Sequence, residues 1–204
     1  MAVVVVGGHS RNIGKTSLAA GLIAAFPECG WAAVKITQYG HGICSINGRA
    51  CGCAAEEHRY ALLEESSREG RTDSSRFLVA GARRSLWLRT KQGQLGRAMP
   101  QLKPILETEQ FVIMESNSIL EFISPDLYIV VLHFDVADFK RTARAYLHRA
   151  DAAAVVQPAA HKPVWDGIAV EGLPLFPVTP PSYVSEDLKE FVGLRLGRPK
   201  VIDE

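Results

Sequence analysis

The stretch Val3-Val4-Val5-Val6-Gly7-Gly8-His9-Ser10-Arg11-Asn12-Ile13-Gly14-Lys15-Thr16-Ser17 decides how this chain is read. Val3–Val6 is an uninterrupted apolar run of β-branched residues, which suits a buried strand. A glycine-containing loop then delivers Gly14-Lys15-Thr16 to a helix start, since Leu18, Leu22 and Phe26 share one helical face with Ala19 and Ile23. A strand, loop and helix in this order form a phosphate cradle. Backbone N–H groups and the helix N-terminus face the anion, Lys15 adds a point charge, and Thr16 offers a hydroxyl to Mg²⁺. Gly8, Ser10, Arg11, Asn12, Ile13, Gly14, Lys15, Thr16 and Ser17 are therefore the candidate nucleotide-phosphate ligands. Five residues, not four, separate Gly8 from Gly14, because His9 stands where the first glycine of the common pattern would be.

The chain has 204 residues, enough for one generous domain with a sizeable core. Its hydrophobic fraction of 47% and charged fraction of 22% are those of an ordinary globular protein. A net charge of +1 argues against nucleic-acid or membrane-surface partners. No stretch approaches the roughly 20 apolar residues of a transmembrane helix. The first valines lack a basic flank and run straight into the loop, so they read as a strand and not a signal peptide. The expected location is the cytoplasm, with reduced cysteines.

Strands and helices alternate beyond the loop, which predicts an α/β fold: a mostly parallel sheet of about seven strands flanked by helices. Strands are expected at Val3–Val6, Trp31–Ile36, Ser85–Arg89, Phe111–Glu115, Leu127–Leu132, Ala152–Gln157 and Leu175–Val178. Helices are expected at Lys15–Phe26, Ser74–Ala80, Leu95–Leu106, Asp138–Leu147 and Glu186–Leu194, with Asp73 and Ser185 as N-caps. The whole chain, 1–204, reads as a single nucleotide-binding domain. Within it, 37–72 reads as an insertion after strand two, with a short helix over Ala54–Glu65.

Ligands of such sheets bind beyond the carboxyl ends of the strands. The second strand ends at Val34-Lys35-Ile36, and Phe111-Val112-Ile113-Met114 ends at Glu115. A carboxylate there suits Mg²⁺, although a helix cap or a surface ion pair would also place a glutamate at this point. Asp73, opening Asp73-Ser74-Ser75-Arg76-Phe77, is either a second metal ligand or a plain N-cap. Gln157, after Ala152–Val156, is the candidate base contact, and no Asn-Lys-x-Asp motif is present to read guanine.

Two family resemblances rest on these residues. The five-residue spacing before Gly14-Lys15-Thr16 resembles that of dethiobiotin synthetases, which also have a strand-end lysine, a helix-opening aspartate and a strand-end glutamate. That resemblance implies Mg²⁺ on Thr16, Asp73 and Glu115, with Lys35 at the terminal phosphate or the reacting substrate. Val34-Lys35, Asp73-Ser74-Ser75-Arg76, Ala80-Gly81-Ala82 and Met114-Glu115-Ser116 resemble the molybdopterin-guanine dinucleotide biosynthesis protein B family over roughly the first 120 residues. Ser116 replaces the glycine usual in both families. Asn12 stands where dethiobiotin synthetases often have an acidic residue, and Thr37-Gln38-Tyr39-Gly40-His41 replaces the histidine-rich segment of the second family. Together they imply a phosphate-loop (P-loop) NTPase fold.

The insertion gathers His41, Cys44, Cys51, Cys53 and His58 within eighteen residues. Thiolates and imidazoles at this density suit a tetrahedral Zn²⁺ site or, with a further ligand, an iron–sulfur cluster. Unrelated small residues or a redox thiol pair would give the same pattern. The functional expectation is Mg²⁺-dependent binding and hydrolysis of ATP or GTP, with Lys15, Lys35 and Glu115 carrying the chemistry. The resemblance implies an accessory role in molybdenum cofactor biosynthesis, beside a cofactor-biosynthesis enzyme. Three alternatives stay open. The first is an ATP-dependent ligase or carboxylase with its pocket at a homodimer interface. The others are a metallochaperone GTPase using the cysteine insertion, and a scaffold whose nucleotide is structural.

Overall fold

A computed structural model of the chain describes residues 1–39, 60–158, 160 and 162–197. Its eight described strands are β1 (Ala2–Gly8), β2 (Ala32–Tyr39), β3 (Tyr60–Glu64), β4 (Arg84–Lys91), β5 (Phe111–Glu115), β6 (Leu127–Leu132), β7 (Ala152–Val156) and β8 (Leu175–Val178). They join in one sheet in the order β3-β4-β2-β5-β1-β6-β7-β8. Every neighbouring pair is parallel except β3 with β4. The described α-helices are α1 (Lys15–Ala25), α2 (Asp73–Val79), α3 (Leu95–Thr108), α4 (Arg141–Tyr146) and α5 (Glu186–Arg195).

Both faces of the sheet are covered, which is why its strands read as continuous apolar runs. Val3 and Val5 point into one core with Leu95, Ala98, Leu102 and Ile105 of α3. Val4 and Val6 point into the other, with Leu18, Leu22 and Ile23 of α1, Phe77 of α2 and Leu188 of α5. All six residues of β6 are buried. Among the described residues no helix is long and apolar enough to cross a membrane.

Several local expectations change. The sheet of about seven strands expected has eight among the described residues, the added one being Tyr60–Glu64, an antiparallel edge strand and not the end of a helix. Leu62 lies opposite Leu88, and Tyr60 and Leu62 pack on the core while Leu63 is exposed. Thr72, not Asp73, caps α2: its hydroxyl accepts the Ser75 N–H, and the Ser75 hydroxyl accepts the Thr72 N–H. Asp73 sits one residue inside the helix with its carboxylate released for other work. Ser185 does cap α5, accepting from the Leu188 N–H. The helix expected from Asp138 begins at Arg141, and Asp138 is engaged elsewhere.

The sheet register brings the site together. Glu115, at the end of the central strand β5, lies opposite Val6 on one side and Lys35 on the other. The loop leaving β1 and the end of β5 therefore open beside Lys35, which lies four residues before the end of β2 and not at the strand end expected from Val34-Lys35-Ile36.

Candidate functional site

The loop between β1 and α1 is shaped by its backbone. Asn117, just past β5, accepts the Gly8 N–H at 2.8 Å and donates to the Gly8 carbonyl at 2.8 Å, both bonds buried. Two conformations in the loop require special residues. Asn12 has φ 55°, which asparagine tolerates better than most side chains, and Gly14 has φ 99°. A Cβ on Gly14 would also fall 1.8 Å from the Tyr183 ring. No side chain caps α1, which leaves its first-turn amides without a side-chain acceptor. The Lys15 ammonium donates to the Ser10 carbonyl at 2.6 Å, spanning the loop. Burial, with Lys35 and Arg11 nearby, holds its pKa below the ordinary lysine value against the pull of Glu115 and Asp73.

Beside it four side chains from four elements converge. Thr16 of α1 donates to Glu115 Oε2 at 2.7 Å. The Lys35 ammonium of β2 lies 2.5 Å from Glu115 Oε1, 2.8 Å from Asp73 Oδ2 of α2 and 3.4 Å from the Thr16 hydroxyl. Glu115 is 3% exposed and Lys35 13%, so these charges meet largely out of water. Burial alone would lower the Lys35 pKa, but Glu115 and Asp73 outweigh it and the value rises. Burial pushes Asp73 up, and Lys35, Thr16 and Arg76 more than reverse this, so its carboxyl stays ionised to lower pH.

The opposite wall comes from 133–140, between β6 and α4, and from Arg141 and Thr142 at the start of α4. His9 is fully buried. Its Nε2 accepts the His133 N–H at 3.0 Å and its Nδ1 donates to the Asp138 carbonyl at 2.8 Å, which leaves a neutral ring. Burial lowers its pKa in agreement. The ring packs on Phe139 and Trp165, with centroids 5.1 and 5.4 Å away. Ser10 donates to Asp138 Oδ2 at 2.6 Å, and the Lys140 N–H donates to the His9 carbonyl at 2.8 Å. A cavity of about 1090 Å³ lies between the two walls.

Of the residues singled out in the sequence, Arg11, Asn12, Gly14, Lys15, Thr16, Ser17, Lys35, Asp73 and Glu115 line this cavity. Gly8 and Ile13 support the loop from beneath, each within reach of Lys15 or the core. Ser10 is buried and turns its hydroxyl to Asp138. Gln157 lies outside the lining; its backbone N–H donates to the Val178 carbonyl. His41, Cys44, Cys51, Cys53 and His58 fall outside the described residues. Among the described residues no three His, Cys, Asp or Glu side chains gather as a metal cluster. The oxygens converging on Lys35 combine two carboxylates with a hydroxyl. Cys29 is buried, with its thiol pushed up to about 11 by desolvation.

Sequence reading gave no site role to Asn117, Lys140 or Tyr183, took Asp138 as the start of a helix, and named Arg76, which donates to the Ser17 hydroxyl at 2.9 Å, only within the Asp73-Ser74-Ser75-Arg76 pattern. Asn117 carried a signal, since it follows the strand-end glutamate by two residues. The others meet the loop only through long-range packing.

No family model and no curated protein matches the chain. Among solved structures it is similar to LpxK from Aquifex aeolicus in complex with ATP. The TM-score is 0.49 and the identity 16%, over 87% of this chain and 53% of that one. It is also similar to HypB from Helicobacter pylori in complex with nickel, with a TM-score of 0.47 and 16% identity over 100% of this chain and 92% of that one. The chain spans about half the length of LpxK. The chain folds as a mostly parallel, helix-flanked α/β sheet whose first strand runs through a glycine-containing loop into α1.

Proposed function

We propose that the chain binds a Mg²⁺–nucleoside triphosphate in this cavity and cleaves its terminal phosphate bond. The observation that carries the reading is the position of the Lys35 ammonium. It lies within 3.4 Å of oxygens from Thr16, Asp73 and Glu115, so it acts as a tethered stand-in for a cation bound by those three groups. A hydroxyl and two carboxylates form the hard-oxygen donor set that Mg²⁺ prefers. Bound there, Mg²⁺ would neutralise charge on the β- and γ-phosphate oxygens.

The protein's own groups do the rest. Lys15 and the amides of residues 10–16 bind the phosphates, at the cost of releasing Lys15 from the Ser10 carbonyl. Lys35, freed from its carboxylates, donates to the terminal phosphate or to an acceptor. Phosphoryl transfer needs positioning and charge neutralisation more than covalent chemistry, and these groups supply both. The chain would work as one domain, with 37–72 as a functional insertion. By the resemblance of Val34-Lys35 and Asp73–Ala82, its process would be molybdenum cofactor maturation, as a nucleotide-binding accessory factor. Phosphate release from ATP and GTP with and without Mg²⁺ tests the reading. Release from neither nucleotide, despite binding, would leave only a structural nucleotide.

A further inference from the structure

His9 stands where the common phosphate-loop pattern has its first glycine, and its ring is 0% exposed. Both ring nitrogens tie the loop to 133–140. The His133 N–H donates to Nε2 at 3.0 Å, and Nδ1 lies 2.8 Å from the Asp138 carbonyl. Each partner is a backbone group with a single role, since an amide N–H only donates and a carbonyl only accepts. The ring is therefore fixed as the neutral tautomer with its proton on Nδ1. An imidazolium would set a second N–H against that of His133. Phe139 and Trp165 hold the ring from its sides, with centroids 5.1 and 5.4 Å away.

Three more bonds lie on the same seam. Ser10 donates to Asp138 Oδ2 at 2.6 Å, the Lys140 N–H to the His9 carbonyl at 2.8 Å, and the His9 N–H to the Val131 carbonyl at 3.2 Å. The wall is braced from behind, where the Trp165 indole donates to the Val136 carbonyl and the Val164 N–H to that of Phe134, both at 2.9 Å. Asp138 and Lys140 then line the cavity together with Lys15 and Thr16, whereas His9 does not.

In the nucleotide-free chain one bond spans the loop, from the Lys15 ammonium to the Ser10 carbonyl at 2.6 Å. A triphosphate that takes Lys15 removes this strut. The shape of the loop then depends on its bonds to 133–140, and a glycine at position 9 would supply none of those made by the ring.

We propose that His9 is a positioning residue for phosphoryl transfer, holding the phosphate loop and 133–140 as one unit while Lys15 shifts from Ser10 to the triphosphate. This rests on the nucleotide reading above and deepens it. His9 acts through Asp138 and Lys140, whose place at the cavity it sets against the loop. Without the tie the loop amides still bind phosphates, but the wall no longer keeps its register with them. A misplacement of about 1 Å at a reacting centre costs about 100-fold in rate.

Two measurements test the proposal. Steady-state phosphate release from ATP and GTP is compared between wild type and His9→Gly, which restores the common pattern. The expected result is a KM within about threefold of wild type and a kcat at least about tenfold lower. A kcat equal to wild type overturns the inference, and so does a raised KM with kcat unchanged, which would make His9 a residue for binding alone. The second measurement uses wild type labelled with ¹⁵N-histidine, by nuclear magnetic resonance at neutral pH. The His9 signals are identified by their loss in His9→Gly or, if that variant does not fold, in His9→Gln. The ring should show a protonated Nδ1 and a hydrogen-bonded, unprotonated Nε2 in the free chain. The same pattern should persist on saturation with a Mg²⁺-bound non-hydrolysable triphosphate analogue. A swapped tautomer or a second ring proton in the loaded protein would mean the tie opens, which overturns the inference and leaves the nucleotide reading intact. A wild type that binds no analogue, or releases no phosphate from either nucleotide, overturns the nucleotide reading and this inference with it.

Discussion

Lys35 and Glu115 stand opposite each other on β2 and β5, and their side chains meet at 2.5 Å beside the Thr16 hydroxyl. The contact is set by the parallel register of the sheet, so it depends on no flexible loop. It also puts a cation where a carboxylate–hydroxyl set would hold a metal. Competition between the ammonium and Mg²⁺ for the same oxygens follows from that arrangement.

Lys35→Met removes the competitor. The nucleotide-free variant should bind Mn²⁺, a spin probe for Mg²⁺, about tenfold more tightly than wild type, because two carboxylates lose their resident counter-charge. Phosphate release should fall in the same variant. Electron paramagnetic resonance of free Mn²⁺ measures the first effect. Unchanged or weaker affinity would mean the ammonium does not occupy the cation position.

Glu115→Gln keeps the shape of the side chain and its hydrogen bond to Thr16 while removing the charge. Analogue affinity should stay within about threefold and Mg²⁺-dependent phosphate release should drop by about 100-fold. Hydrolysis at the wild-type rate would remove Glu115 from the metal shell.

Asn117→Ala strips the Gly8 N–H and carbonyl of their buried partner. Unfolding in urea should show a loss of about 1–3 kcal/mol, the penalty for an unpaired buried polar group. Triphosphate affinity should fall with it, since the loop is anchored there. A variant as stable as wild type would mean the loop is held by its other bonds.

The fold was legible where chemistry is local. The Val3–Val6 run, the glycine loop and the apolar face of α1 lie within one short stretch, and the strand-end position of Glu115 follows from the apolar run before it. The errors arise where distant partners decide. Tyr60-Ala61-Leu62-Leu63 is a short apolar run whose strand state comes from pairing with β4. Thr72 and Asp73 both suit an N-cap, and Lys35, reached only through the fold, accounts for Asp73 facing the site. Asp138 reads as the start of a helix until Ser10, 128 residues earlier, is seen to donate to it. The strand ends of the candidate site could be read; its second wall could not.

Lys140 gives a pH dependence. Burial, then the charges of Lys15, Arg11 and Lys35, lower its pKa against the pull of Asp138, and the result is about 8. Below that pH the charge is present and binds an oxyanion; as pH rises through it the charge is lost. Affinity of the nucleotide-free wild type for inorganic sulfate, which keeps its charge over this range, should therefore fall between about pH 7 and 9, and Lys140→Arg should abolish the fall. A flat profile in the wild type would place the charge elsewhere.

The central claim is that this loop binds a Mg²⁺–nucleoside triphosphate through Lys15. Calorimetric titration of Mg²⁺-bound ATP and GTP analogues into the wild type and Lys15→Ala tests it most directly. The expected result is saturable binding of at least one analogue by the wild type, with affinity at least about 30-fold weaker in a Lys15→Ala variant that folds normally. Absence of binding by the wild type, or equal binding by both proteins, would contradict the account.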